Sequence, residues 1–411
     1  MSARSALLNR PLKLPCGSVL SNRLGKSALS ENLAVAGAPT ARLFTLYERW
    51  ATSGAALLIS GNVMVHRDGR GEPGNVVVED DRHLAALRRW AAAAQSQGAQ
   101  LWMQVNHVGR QATRGINRRP VAPSAGERVA LMGLFAKPRE LSIAEIEDLI
   151  ARYVRAARCA QQAGFAGVQV HAAHGYLISQ FLSPRTNKRN DRWGGNAENR
   201  RRFLLAIVEQ MRRTVGAHFP IGVKLNSADF QRGGFSEDES LEVVEALERA
   251  GIDLLEISGG NYESPAMTGL TDRQGRLRSS SAAREAYFLE YAKAVRKRVA
   301  VPLMLTGGLR TAATMHQVIA DGSVDLIGLG RPLAVEPDLP RRLLDGSAKA
   351  ALSVNPRVGI KSLDAALAVG WYQRQLHRMA DGLDPQLDLG CWSSLGKILW
   401  EQLAVVASAS R

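Results

Sequence analysis

The feature that most limits what this chain can fold into is an alternation. Short apolar or β-branched runs of strand length recur, and a longer stretch with helical periodicity follows each one. The runs predict strands at 24–29, 55–63, 100–105, 167–171, 221–226, 254–258, 303–306 and 325–328. Helices are predicted between and after them, at about 40–52, 82–97, 142–163, 197–215, 236–250, 283–299, 311–320 and 337–345. Two helix starts carry a capping-box pattern, Ser142 with Glu145 and Ser236 with Glu239. Strands that are apolar along most of their length suit a parallel sheet covered on both faces. Eight such units in about 330 residues predict an α/β chain closed into a (β/α)8 TIM barrel. A doubly wound open sheet is the alternative, weakened because no G-x-G-x-x-G follows the first strand.

Residues 1–345 would then form the barrel and 346–411 a C-terminal helical extension. Within the extension, "SLDAALAVGWYQRQLHRMADG" reads as an amphipathic helix carrying an exposed aromatic pair, Trp371 and Tyr372. The expectation is that this tail contributes to a homo-oligomer or covers a neighbouring site; packing against its own barrel is the plain alternative. After the third strand comes a long polar insertion, residues 106–141. Long loops at a barrel's C-terminal face commonly cover the active site.

Composition narrows the class. With 45% hydrophobic residues, the 411-residue chain supports a sizeable core. The N-terminal "MSARSALLNRPLKL" lacks an apolar signal region, and no run approaches the ~18 apolar residues of a membrane span. A cytoplasmic protein with no membrane role is expected. Cys16, Cys159 and Cys391 lie far apart, which excludes a clustered iron–sulfur or zinc motif. The net charge of +15 would attract phosphorylated small molecules or nucleic acid. Its basic residues are scattered, with no basic tail interleaved with aromatics, so no nucleic-acid partner is expected.

Three constellations stand at predicted strand ends. His171, His174 and Tyr176 in "HAAHGYLISQFLS" follow strand four. Two imidazoles three apart in a tight turn can aim two N–H donors at one oxygen, as an oxyanion hole does. A metal site is the rival, but it needs a third ligand, and no carboxylate is near in sequence. "PLMLTGGLRT" and "VDLIGLGRPL" end strands seven and eight with Gly307, Gly308, Gly328, Gly330 and Arg331. Barrels often bind phosphate there, because glycine lets backbone N–H groups approach the oxygens. Strand six ends in Ser258, Gly259 and Gly260, a third permissive approach. In "MQVNHVGR", Gln104 offers a donor and an acceptor to a heterocycle edge, and Lys224 in "GVKLN" brings a cation to the barrel mouth. Together these describe a phosphorylated cofactor lying across the mouth.

The block "HAAHGYLISQFLSPRTNKRNDRWGGNAENRRRF" closely resembles the signature of the old yellow enzyme family of FMN-dependent NADH:flavin oxidoreductases, of the single-domain ene-reductase type. "QVNHVGRQ", "LTGGLRT" and "IGLGRPL" resemble further family blocks in the family's order, and the likeness runs from about residue 22 to 341. The resemblance implies non-covalent FMN, with NADH or NADPH as reductant and an activated alkene such as an α,β-unsaturated carbonyl as substrate. His171 and His174 would grip the activating oxygen, and Tyr176 would supply a proton. Gln104 would bond the flavin pyrimidine edge, and Gly308, Gly330 and Arg331 would hold the phosphate. Ser30, Asn62, Lys224 and Ser258 complete the implied cofactor set. This sequence departs from the family at "KSALSE", where Ser30 replaces the usual Thr or Cys, and at Lys224, where the family usually has an arginine and its bidentate fork. The rivals are a flavin-free barrel lyase or isomerase on a phosphorylated substrate, and a tRNA-dihydrouridine synthase-like enzyme. The second would need a cysteine acid, and no cysteine lies near a predicted strand end facing the site.

Overall fold

A computed structural model describes residues 5–129, 133–258, 281–354, 356–359, 361–394 and 396. Eight strands form the barrel: β1 (Leu24–Lys26), β2 (Leu57–Ile59), β3 (Gln100–Asn106), β4 (Gly167–Ala172), β5 (Ile221–Asn226), β6 (Leu254–Ser258), β7 (Leu303–Thr306) and β8 (Leu326–Leu329). Each pairs in parallel with the next. The sheet closes where Ile327, Gly328 and Leu329 of β8 register with Leu24, Gly25 and Lys26 of β1. The helices that follow the strands are α1 (Ala41–Ala51), α2 (Leu84–Gln95), α3 (Ile143–Gln162), α4 (Ala197–Val215), α5 (Glu237–Arg249), α6 (Ser281–Arg296), α7 (Ala312–Ala320) and α8 (Leu339–Leu344). The expected (β/α)8 architecture is what the chain adopts.

Local chemistry explains the elements. On α3, Ile146, Leu149, Ile150, Tyr153, Ala156, Ala157 and Ala160 repeat at helical spacing and are buried. Both capping boxes form: the Ser142 hydroxyl accepts from the Glu145 N–H, the Glu145 carboxylate accepts from the Ser142 N–H, and Ser236 with Glu239 does the same. Two strands are shorter than their apolar runs. The first stops at Lys26, where residues 27–30 leave the ladder as a loop. The second breaks after Ile59, and Val63–Met64 instead pairs with Val76–Val77 and the outer end of β3.

The barrel interior is packed from below. A hairpin, Leu12–Lys13 with Val19–Leu20, places Leu12, Leu14 and Leu20 against Leu57, Ile59, Trp102, Leu254, Met304 and Leu326. Trp102 is fully buried inside, and glycines make room for it. A Cβ on Gly167 would meet the indole at 2.8 Å, and one on Gly222 at 2.9 Å. Burying that ring stabilises the closed end by about 4–6 kcal/mol.

Beyond α8 the tail forms α9 (Lys361–Ala380), which packs on α1. The expectation of an exposed aromatic pair is wrong: Trp371 is 1% and Tyr372 9% exposed. Trp371 Nε1 donates to Leu389 O at 2.8 Å, and the Tyr372 hydroxyl to Val354 O at 2.8 Å. Helical periodicity reports which residues share a face, but not whether the chain has a surface to cover with it. Among the described residues no helix is long and apolar enough to cross a membrane.

Candidate active site

The C-terminal ends of the strands meet in a buried polar layer. Gln104 on β3 donates from Nε2 to Gln169 Oε1 on β4 at 2.7 Å, and Gln169 Nε2 donates to Glu256 Oε2 on β6 at 2.7 Å. Glu256 Oε1 accepts from the Thr306 hydroxyl at 2.7 Å and pairs with Lys224 Nζ on β5 at 3.0 Å. Thr306 has spent its proton on Glu256, so Ser27 must donate to it across their 2.7 Å contact. The charge of Lys224 is therefore matched inside the barrel, with the two side chains 5% and 0% exposed. Such a pair is costly to bury unless its oxygens are further hydrogen-bonded, and here they are.

His171 ends β4 and is buried. Its Nδ1 accepts from the Ala173 N–H at 3.2 Å. Burial, with His174 and Lys224 nearby, holds its pKa well below the usual histidine value. The ring is thus neutral at pH 7, with its proton on Nε2, the donor position. His174 lies at φ +62°, a left-handed conformation uncommon for a residue with a Cβ. The Asn226 side-chain Oδ1 accepts from the His174 N–H at 3.2 Å, and the His174 Nε2 contacts the Ser258 hydroxyl at 2.7 Å. Burial, then Lys224, keeps this ring neutral as well. Tyr176 completes the group. The ring centroids of His171 lie 4.9 Å from those of both His174 and Tyr176. One imidazole therefore keeps Nε2–H for a ligand, while the other shares Nε2 with Ser258 and has Nδ1 left to offer. Among the described residues no group of three His, Cys, Asp or Glu is placed to hold a metal ion.

Two adjoining cavities open over this layer. One, of about 220 Å³, is lined at the ends of β7 and β8 by Gly307, Gly308, Gly330 and Arg331, with Lys224 and Ser258. The other, of about 360 Å³, is lined by Ser30, Asn62, Gln104, His171, His174 and Tyr176, among others. Lys224, His174 and Arg331 line both. Gly307 and Gly308 have φ of +107° and +86°, and a Cβ on Gly307 would meet nothing within 4 Å. This is open, side-chain-free backbone beside a guanidinium, which suits a phosphate. The larger cavity has amide groups beside an apolar lining, which suits a flat heterocycle with N–H and C=O edges. The residues present therefore fit FMN, its phosphate at β7 and β8 and its ring system in the larger cavity. Neither cavity is lined by a cysteine.

The eleven residues given a catalytic or cofactor-binding role from the sequence, and Gly307 and Gly328 besides, all line one cavity or the other. Gly259 and Gly260 lie outside the described residues. Two groups went unforeseen. Glu72, from the loop after Val63–Met64, accepts from the Ser30 hydroxyl, and its Oε1 accepts from Gln373 Nε2 of α9 at 2.7 Å. Burial raises its pKa. Tyr372, Gln373 and Leu376 of the tail line the larger cavity, and the Arg331 guanidinium lies 5.9 Å over the Tyr372 ring. Nothing in "RGEPGNV" marks a site residue, and the tail helix reads only as amphipathic.

Comparison with known proteins places this geometry. The family described as "NADH:flavin oxidoreductase / NADH oxidase family" matches residues 8–350. The NADH-dependent flavin oxidoreductase iliE of Hypocrea jecorina (strain QM6a) is 38% identical over 358 residues, covering 81% of this chain and 88% of that protein. Among solved structures, the complex of 2-naphthoyl-CoA reductase with 2-naphthoyl-CoA has a TM-score of 0.79 at 27% identity. It covers 92% of this chain, which spans 58% of that one. An old yellow enzyme homologue from Zymomonas mobilis has a TM-score of 0.70 at 27% identity, covering 84% of this chain and 94% of that one.

Proposed function

Because this chain belongs to the NADH:flavin oxidoreductase / NADH oxidase family, the old yellow enzyme family, and is thereby an FMN-dependent oxidoreductase using NADH or NADPH, we propose that it reduces activated C=C bonds. The observation that carries this reading is the neutral His171, with Nδ1 satisfied by the Ala173 N–H and Nε2–H left as a donor beside Tyr176. FMN, when bound, would supply the hydride-transfer chemistry between NAD(P)H and the acceptor alkene. His171 binds the acceptor's carbonyl oxygen and stabilises the negative charge that develops there. His174 supplies the second donor from Nδ1 when Ser258 donates to its Nε2. Tyr176 gives its proton to the α-carbon. Gln104, with Asn62 and Ser30, orients the ring system, while Gly308, Gly330 and Arg331 grip the phosphate. Lys224, already paired with Glu256, positions the polar layer rather than presenting a free charge. Residues 1–345 supply the flavin barrel, and 346–411 an extension that finishes the pocket.

The test separates the two half-reactions. The purified protein is expected to show a visible flavin spectrum that NADH or NADPH bleaches anaerobically. Tyr176→Phe keeps the ring and removes the proton. Stopped-flow should then show flavin reduction near the wild-type rate and oxidation by 2-cyclohexenone slowed by about 10²-fold or more. Quinone reduction, which needs no carbon protonation, should be largely spared. Equal slowing of both half-reactions would remove Tyr176 from the role.

A further inference from the structure

The tail helix is a wall of the larger cavity, and its exposed part there is apolar. Ala368, Val369, Tyr372, Gln373 and Leu376 of α9 line the same space as His171 and Tyr176. On either side of Val369, Leu367 is 0% and Trp371 1% exposed, whereas Val369 itself is 52% exposed. Met64, Val108 and Phe135, from the loops after β2 and β3, line this cavity too. Met64, Val77, Val108 and Ala112 form a small apolar cluster with Tyr176 packed against it. An acceptor within reach of the Tyr176 proton thus has apolar surface beside it.

This wall is fixed. Gln373 is bonded to Glu72, and His377 Nε2 lies 2.9 Å from Glu31 O in the loop after β1. Asp381, just past α9, takes both Nε and Nη2 of Arg42 on α1 at 2.6 and 2.8 Å. Of the polar groups that α9 brings to the cavity, Gln373 donates from Nε2 to Glu72 and the Tyr372 hydroxyl donates to Val354 O. A polar group placed against Val369 would lose water without gaining a partner from that side chain, whereas an apolar body gains by covering it.

We propose that α9 makes this enzyme selective for activated alkenes that carry a large apolar body, with Val369 as a specificity-determining residue. The inference rests on the alkene-reductase reading for the class of acceptor, and on the cavity alone for the apolar body.

The first experiment needs no alkene reduction. Holoenzyme is titrated with phenol and with 4-phenylphenol, each read by the change in the visible flavin spectrum. Both carry one oxygen for the His171 donor, and they differ by one apolar ring. The wild type is expected to bind 4-phenylphenol at least about tenfold tighter, and Val369→Asp to abolish that preference. Val369→Trp, which fills the same space with apolar bulk, should abolish it by obstruction. A wild-type preference below twofold, or one that survives in both variants, overturns the proposal. The second experiment compares kcat/KM for 4-phenyl-3-buten-2-one and 2-cyclohexenone, and the ratio should fall in Val369→Asp by about the same factor. Wild-type enzyme that prefers 4-phenylphenol but reduces neither enone would sink the alkene-reductase reading and leave Val369's selection of apolar bodies standing. Enone reduction without any size preference would sink the selection alone.

Discussion

At the scale of single residues, three imidazoles at and beside the candidate site are held neutral by burial. His107, on the loop after β3, is 3% exposed, and burial pushes its pKa down to about 3. His171 and His174 are depressed in the same direction by burial. The sign of the linkage follows. An unfolded chain protonates these rings below about pH 6.5, while the folded chain does not, so stability present above that pH is lost as pH falls. Between pH 7 and 5 His107, with its pKa near 3, costs about 2 kcal/mol. Unfolding followed by urea titration at several pH values should show that loss, and His107→Gln should make the slope between pH 6.5 and 5 shallower by about one proton. An unchanged slope would mean that His107 titrates normally in the folded protein. The roles of these rings were only half legible in the sequence. Residue type and position after a strand marked His171 and His174. The tautomer depends on the Ala173 N–H for one ring and on Ser258, 84 residues away, for the other.

At the scale of elements, α9 turned out differently from its reading as an appendage with an exposed aromatic pair. Trp371 is nearly fully buried, and Tyr372 beside it packs near Arg331 at the glycine-lined cavity of β7 and β8. Trp371→Ala should cost about 3–5 kcal/mol of unfolding free energy, the usual loss for a buried large aromatic. It should also weaken FMN retention on gel filtration, because α9 braces both the Arg331 end and the Glu72 end of the cavities. A variant of unchanged stability that keeps its flavin would show that the helix is not coupled to the barrel. The barrel helices were readable because caps and apolar stripes are local. The docking of α9 was not, because its partners on α1 and in the β1 loop lie more than 300 residues earlier.

At the scale of the whole molecule, cofactor site and barrel closure share the same residues. A Cβ on Gly328, where β8 meets β1, would sit 1.9 Å from Thr306 Oγ1 and 2.6 Å from Ser27 Oγ. Those hydroxyls form the end of the chain that leads through Glu256 to Gln169 and Gln104. Gly328→Ala should therefore lower stability by about 1–3 kcal/mol through overpacking, and disturb the flavin environment at the same time. Guanidinium titrations followed by far-UV circular dichroism and by flavin fluorescence should move together to lower midpoints. A midpoint shift with an unaltered flavin spectrum would separate closure from the site.

The sequence by itself determined the alternation of strands and helices, the helix starts, and the strand ends at which the candidate site residues stand. These follow from backbone geometry and side-chain periodicity within a few residues of chain. Only the tertiary structure decided which polar groups meet. Register across strands sets Lys224 against Glu256 and Gln104 against Gln169, and the packing of the tail sets Gln373 against Glu72 and Val369 at the cavity. Such pairings depend on contacts between residues distant in the chain, and local patterns of hydrophobicity or charge do not encode them.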